Sequence, residues 1–209
     1  MADVVREIPG PLGPLEALID SPNNAPRAIV VFAHPLPIEG GTMHTKVVFQ
    51  SAKALARTGC AVLRFNFRGV GRSAGTWDEG RGEQDDYRTA LDFAAARYPG
   101  LEIWAARFSF GSHVAMTVGA GDGRVCALIG IAPPVNKYDF GYLRDCEKPM
   151  LFLHGTQDEH GDVAKLEKVV ENIRNAESVI VTGADHFFTK QLEAVEETMR
   201  SWAEELLET

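Results

Sequence analysis

EIWAARFSFGSHVAMTV, residues 102–118, divides around a single residue. Glu102–Phe108 is a largely apolar run of strand length, and Phe110–Val118 continues as a helix. Ser109 is left on the turn between them. With glycine in place of Arg107 the turn would read Gly-x-Ser-x-Gly, the tight strand-to-helix elbow that presents a serine hydroxyl at the top of a sheet. A strand that turns directly into a helix is also half of a β-α-β unit, so the rest of the chain is expected to supply the other units.

It does so in both directions. Upstream, Ala28–His34 (AIVVFAH) is a continuous β-branched strand ended by His-Pro, and Ala61–Phe67 (AVLRFNF) is another. Between them the spacing of Val48, Ala52 and Leu55 predicts a helix over Lys46–Arg57, stopped by Thr58-Gly59. A second helix is expected from Glu83 to Tyr98. Downstream, strands are expected at Val125–Ala132, Met150–His154 and Ser178–Thr182, with helices at Asp162–Arg174 and Phe188–Leu207. Residues 4–20 read as a two-stranded ribbon around a Gly/Pro turn. Alternating strands and helices imply an α/β fold with a mostly parallel sheet and helices on both faces. Ligands of such sheets bind beyond the carboxyl ends of the strands. His34, Arg68, Ser109, Pro133, Asp158 and His186 are therefore the positions to inspect.

The chain has 209 residues, enough for one well-buried core and short for two, so a single domain over residues 1–209 is expected. With 45% hydrophobic and 24% charged residues it is neither disordered nor fibrous in composition. A net charge of −8 disfavours a nucleic-acid partner. Cys60, Cys126 and Cys146 are sparse, odd in number and without CxxC spacing, which fits a reducing compartment. No basic-then-apolar leader opens the sequence and no apolar run reaches membrane-spanning length. A cytoplasmic protein without a membrane partner is the expectation; oligomeric state is not legible.

A serine hydroxyl is a weak nucleophile and needs a base, which needs an acid to orient it. HGTQD places Asp158 after one strand and GADHFF places His186 after the next. Ser, Asp, His in that order, each at a strand end, make a coherent set. Asp139 competes for the acid role, and His154 and His160 for the base. Acyl transfer also needs two donors for the developing oxyanion. The N–H of Phe110 is one. In HPLP the prolines have no N–H, which leaves Leu36 as the second. His34 is read as a brace for that loop, and His34, Glu39 and His44 match no metal-ligand spacing, so no metal or cofactor is expected. The glycine-rich RGVGRSAG (Arg68–Gly75) lacks the Gly-Lys-Ser/Thr of a phosphate loop and reads as a tight loop beside the site.

On HPLPIEGGTMHTKVV, RFNFRGVGRSAG with GRGEQDD after it, FSFGS, HGTQD and GADHFF, almost the whole chain resembles the small, lidless serine α/β-hydrolases (esterases) related to dienelactone hydrolase. The resemblance implies Ser109 as nucleophile, Asp158 as acid and His186 as base. Dienelactone hydrolases proper carry cysteine at the nucleophile position, so their substrate is not implied. The expected activity is hydrolysis of a small or short-chain carboxylic ester; a peptidase, a thioesterase or a non-catalytic binding protein on the same fold are the alternatives. Little sequence separates Ala132 from Met150, too little for a large lid domain. By position, Trp77, Arg107, Phe108, Tyr138, Tyr142 and Phe187 are candidate pocket walls. Arg107 departs from the family, which has glycine there. It is expected to point outward from the turn, to line the pocket, or to distort the elbow.

Overall fold

The computed structural model describes residues 5–208, excluding the side chains of residues 112 and 113. Eight strands form one sheet: β1 (Glu7–Ile8), β2 (Leu15–Asp20), β3 (Ala28–Ala33), β4 (Cys60–Phe65), β5 (Glu102–Phe108), β6 (Val125–Ile131), β7 (Met150–Gly155) and β8 (Ala176–Val181), in the spatial order β1-β2-β4-β3-β5-β6-β7-β8. β1 and β2 pair antiparallel, as does β2 with β4. All pairings from β4 across to β8 are parallel. This is the α/β-hydrolase fold, and the predicted N-terminal ribbon is its antiparallel edge.

The helices are α1 (Lys46–Arg57), α2 (Arg81–Arg97), α3 (Phe110–Gly121), α4 (Val163–Glu171) and α5 (Leu192–Glu208). Every residue of β3, β4 and β7 is buried, because helices cover both faces of the sheet. Tyr87 and Leu91 of α2, Val114 and Met116 of α3 and Leu166 of α4 pack on one face with Val31, Leu63 and Phe152. Val48 and Leu55 of α1 and Val195, Met199 and Trp202 of α5 pack on the other with Val30, Phe32 and Trp104. β8, at the sheet edge, alternates half-buried and exposed residues instead.

Several boundaries differ from expectation by a few residues, and those of α4 and α5 do so for local reasons. α4 stops at Glu171, not Arg174, because the Asn172 side-chain amide donates to the Lys168 carbonyl at 2.6 Å and turns the chain. α5 starts at Leu192, not Phe188. Asp185 Oδ1 accepts the N–H groups of Phe187 at 3.1 Å and Thr189 at 2.9 Å, and Phe188 takes a positive φ of 51°. The residues between are a turn.

The chain runs from β3 outward to β4 and then returns to β5 on the other side of β3. The carboxyl ends of β3 and β5 therefore flank the point where strand order reverses, which is where such sheets open a crevice. The β6–β7 connection contains only a 3-10 turn, Gly141–Leu143, and no lid. Among the described residues no helix is long and apolar enough to cross a membrane.

Candidate active site

Ser109 has φ 56° and ψ −125°, a backbone region that non-glycine residues rarely enter. Holding a residue there costs on the order of 1–3 kcal/mol and persists only where the surroundings enforce it. Ser109 N–H donates to the Ile131 carbonyl at 2.9 Å, which ties the turn to the end of β6. Gly111 enforces the other side. A Cβ at 111 would lie 2.6 Å from the His34 carbonyl oxygen and 3.1 Å from that of Ala33, so α3 can sit against the end of β3 only without a side chain there. Sharp elbow and close helix are one requirement, and FSFG meets it.

The elbow delivers Ser109 to His186. His186 Nε2 is 2.7 Å from Ser109 Oγ, and His186 Nδ1 is 2.8 Å from Asp158 Oδ2. A carboxylate only accepts, so Nδ1 carries the proton and Nε2 presents its lone pair to the serine hydroxyl. The second carboxylate oxygen of Asp158 accepts the His160 N–H at 2.8 Å. The two loops are joined beneath the pair: Gln157 N–H donates to the Ala184 carbonyl at 2.9 Å. Gly155 permits this, since a Cβ there would lie 2.3 Å from the same carbonyl oxygen. Asp185, next to His186, is held below the usual carboxylate range by the backbone N–H of Thr189, so it stays ionised and keeps the histidine turn closed. All three side chains are buried or nearly so, with His186 3% exposed. The set can transfer a proton from Ser109 to His186 and stabilise the resulting imidazolium.

Three rings wall the imidazole. Phe108 lies 5.2 Å from it, Phe187 5.2 Å and His160 4.5 Å, the last edge-on at 85°. On the other side of the serine, Phe110 contacts Trp77 at 5.0 Å and Tyr138 at 6.3 Å between ring centroids.

The loop after β3 is fixed by His34, which is fully buried. Its Nε2 accepts the Phe67 N–H at 3.0 Å, so Nδ1 bears the proton and donates to the Pro35 carbonyl at 2.7 Å. Burial pushes its pKa down to about 4, and the ring is neutral at ordinary pH. Both nitrogens are thereby engaged in holding the HPLP turn. The N–H groups of Leu36 and Phe110 have no hydrogen-bond partner among the described residues. Leu36 is half-buried and opens the 3-10 turn Pro37–Glu39.

The candidate walls separate into two groups. Trp77 and Tyr138 are half-buried and Phe187 is 50% exposed, so these three present surface around the serine. Phe108 is fully buried and backs His186 instead of lining a pocket. Tyr142 bonds to Thr117, about two turns along α3 from Ser109, and stands apart from the site. Arg107 neither points outward nor lines the pocket. It is 0% exposed, inside the core on the α2/α3 face, and the elbow above it keeps its geometry. Of the competitors, Asp139 is exposed and accepts the Gly141 N–H at 2.8 Å in its own turn.

The RGVGRSAG loop is closed by its own side chains. Arg68 forms a buried pair with Asp86 at 2.8 Å, and Ser73 Oγ donates to the Asn66 carbonyl at 2.6 Å. A Cβ at Gly82 would collide with the Arg68 guanidinium, so this pairing depends on glycine. A surface cleft lined by Met150, Ala176, Trp202 and Leu206 lies at the amino ends of β7 and β8, the wrong end of the sheet for this chemistry. The reading of the sequence took His160 as a competing base, where its ring walls His186 instead, and missed the small residues beside Arg107. The HGTQDEHG stretch held a signal for the first, a histidine two residues after the acid.

Residues 24–140 match the family described as serine aminopeptidase, S33. An uncharacterized protein of Rickettsia prowazekii (strain Madrid E) is 38% identical over 197 residues, covering 88% of this chain and 82% of that protein. An α/β serine hydrolase homologue from Coxiella burnetii superposes with a TM-score of 0.89 at 36% identity, covering 96% of this chain and 97% of its own. A lidless α/β serine hydrolase from Xanthomonas campestris superposes with a TM-score of 0.89 at 34% identity, covering 99% and 95%.

Proposed function

Because the chain belongs to the serine aminopeptidase, S33, family of α/β serine hydrolases, we propose that it hydrolyses carboxylic esters through Ser109, His186 and Asp158. The observation that carries this is the 2.7 Å approach of His186 Nε2 to Ser109 Oγ, with Asp158 behind the imidazole. Ser109 Oγ attacks the ester carbonyl while His186 takes its proton. Asp158 orients the ring and stabilises its charged form. The unpartnered N–H groups of Leu36 and Phe110 receive the negative charge that develops on the carbonyl oxygen. His186 returns the proton to the leaving alkoxide, which departs as an alcohol. Water, deprotonated by His186, then attacks the acyl-serine and releases the carboxylic acid. With no lid and with Trp77, Tyr138 and Phe187 forming a shallow aromatic rim, short acyl groups are the favoured substrates.

The family description favours a second reading, amide cleavage at a peptide amino terminus, which would use the same machinery. One panel separates the readings: p-nitrophenyl esters of increasing chain length, acyl-CoA thioesters and aminoacyl amides. Short-chain ester turnover with little action on aminoacyl amides is expected. A fluorophosphonate that fails to label Ser109 would remove both readings at once.

A further inference from the structure

The loop that carries the Leu36 N–H, residues 34–45, is anchored at both ends. His34 holds its start. Met43 holds its end: it is buried, and side chains at the end of β4 take both of its backbone groups. Arg64 Nη1 donates to the Met43 carbonyl at 2.6 Å, and the Met43 N–H donates to Asn66 Oδ1 at 2.8 Å. Between the anchors the chain doubles back. The Leu36 carbonyl accepts the N–H groups of Glu39 at 3.2 Å and Gly41 at 3.0 Å. A Cβ at Gly41 would lie 2.3 Å from the Pro35 carbonyl oxygen. That oxygen and the Leu36 N–H belong to one planar peptide unit. The direction of the N–H is thus set from two sides, by His34 donating to the Pro35 carbonyl and by the segment from Gly41 to Met43 lying against it.

Asn66 is 2% exposed, and the groups around its amide are complementary to it. The Met43 N–H can only donate and the Glu16 carboxylate can only accept, so Oδ1 faces the first and Nδ2 the second, the latter at 2.9 Å. The Arg72 N–H holds the Glu16 carboxyl below the usual carboxylate range, so this acceptor is ionised at neutral pH. Ser73 Oγ accepts the Glu16 N–H at 2.9 Å and donates to the Asn66 carbonyl. Gly71 has φ 57°, and a Cβ there would lie 2.2 Å from Glu16 Oε2 and 2.8 Å from Asn66 Nδ2. Gly71, Arg72 and Ser73 of the RGVGRSAG loop therefore all serve the placement of one amide. Aspartate at 66 would set a second carboxylate against Glu16, and leucine would leave the buried Met43 N–H unpaired.

We infer that Asn66 is a positioning residue for the oxyanion: by holding Met43 it keeps the loop folded against the peptide unit that presents the Leu36 N–H. The inference rests on the ester-hydrolysis reading, with Leu36 as a donor. It gives the glycine-rich loop a role, that of bracing Asn66.

The test compares p-nitrophenyl acetate with its thiono analogue, in which sulfur replaces the carbonyl oxygen. Sulfur is a weak acceptor and gains little from the two N–H donors, so the ratio of the two kcat values reports on the oxyanion site. Asn66→Ala in the full chain is expected to lower kcat for the oxygen ester by about tenfold or more, towards the roughly 10²–10³ of a lost donor, with KM within about twofold. The thiono ester should lose less than about threefold in kcat, so the ratio shrinks. Asn66→Asp combined with Glu16→Gln keeps the acceptor for the Met43 N–H and reverses the bond to residue 16; it should return the ratio to within about threefold of native. Equal losses on both esters, an unmoved ratio, or a ratio that the double variant leaves low overturns the inference. If Asn66→Ala does not fold, Glu16→Ala frees Nδ2 from a half-buried position and is read the same way: a reduced ratio supports the inference and an unmoved one overturns it. An active native protein with an unmoved ratio removes this inference alone. Absent turnover and absent fluorophosphonate labelling in the native protein remove the hydrolase reading with it.

Discussion

Arg107 on β5 stands in register with Gly130 on β6, and Ala33 of β3 flanks it on the other side. Neighbouring residues of parallel strands point to the same face, so two small residues flank the long side chain there. The room is tight: a Cβ at Gly130 would already lie 3.0 Å from Met116 Cε and 3.2 Å from Phe152. The arginine is buried in the core on the α2/α3 face, and the serine turn above it keeps its geometry.

Space does not satisfy its charge. Nε, Nη1 and Nη2 of Arg107 make no hydrogen bond among the described residues. Burial pulls its pKa down to about 10, opposed in part by Tyr142, Tyr87 and Cys146, so it remains a cation at neutral pH. Its folded pKa lies below the unfolded value, so the destabilisation is full below pH about 10 and relieved only as pH rises through that value. Arg107→Met keeps most of the volume without the charge. It should raise stability by about 1–4 kcal/mol, read from denaturant midpoints at pH 7. Ester turnover should stay within about tenfold, or 1.4 kcal/mol in barrier; a hundredfold change would place Arg107 in the reaction.

Leu36 has φ −52°, inside the range that proline adopts. Leu36→Pro therefore removes the N–H with little demand on φ. Loss of one oxyanion donor should lower kcat by about 10²–10³. Unchanged kcat would assign the second donor elsewhere.

The acid can be tested against its competitor. Asp158→Asn should reduce kcat by about 10³–10⁴, because the base is left in the wrong tautomer. Asp139→Asn should change it by less than about twofold, since Asp139 serves only the Gly141 N–H. The reverse ranking in steady-state kinetics would move the acid to Asp139.

His34 makes stability pH-dependent. Its folded pKa of about 4 lies below the model-peptide value of 6.5. Between those values the unfolded chain binds more protons, so stability falls as pH drops from 6.5 to 4. The loss is about 3 kcal/mol if the whole shift is expressed. His34→Gln should flatten that window in urea melts taken from pH 7 to 4; an equal slope in both proteins would rule His34 out as its source.

Gly111→Ala would press a methyl group against two backbone carbonyls at the end of β3. Neither can withdraw without moving the strand. A destabilisation of about 1–3 kcal/mol is expected, with a larger drop in turnover than in binding because the elbow moves. Thermal melts and a kcat/KM split check both parts.

Much of this was legible because it is local. β5 and α1 fall where apolar periodicity put them, and α3 begins there too, since strand and helix patterns are properties of neighbouring residues. Ser109, Asp158 and His186 could be named because each sits just after a strand, and parallel strands bring those ends together whatever the loops do. Boundaries set by single side-chain bonds, as at Asn172 and Asp185, carry no periodic signal.

The sequence by itself determined the order of strands and helices and the places of Ser109, Asp158 and His186 just after strands. It could not determine where Arg107 goes. Its neighbours in the sheet, Gly130 and Ala33, are distant along the chain and join it only when the sheet forms. It could not show that the His160 ring walls His186, because that contact is a matter of ångströms between two loops. Only tertiary packing decides which groups meet without water between them, and burial then makes their charge and hydrogen bonding consequential.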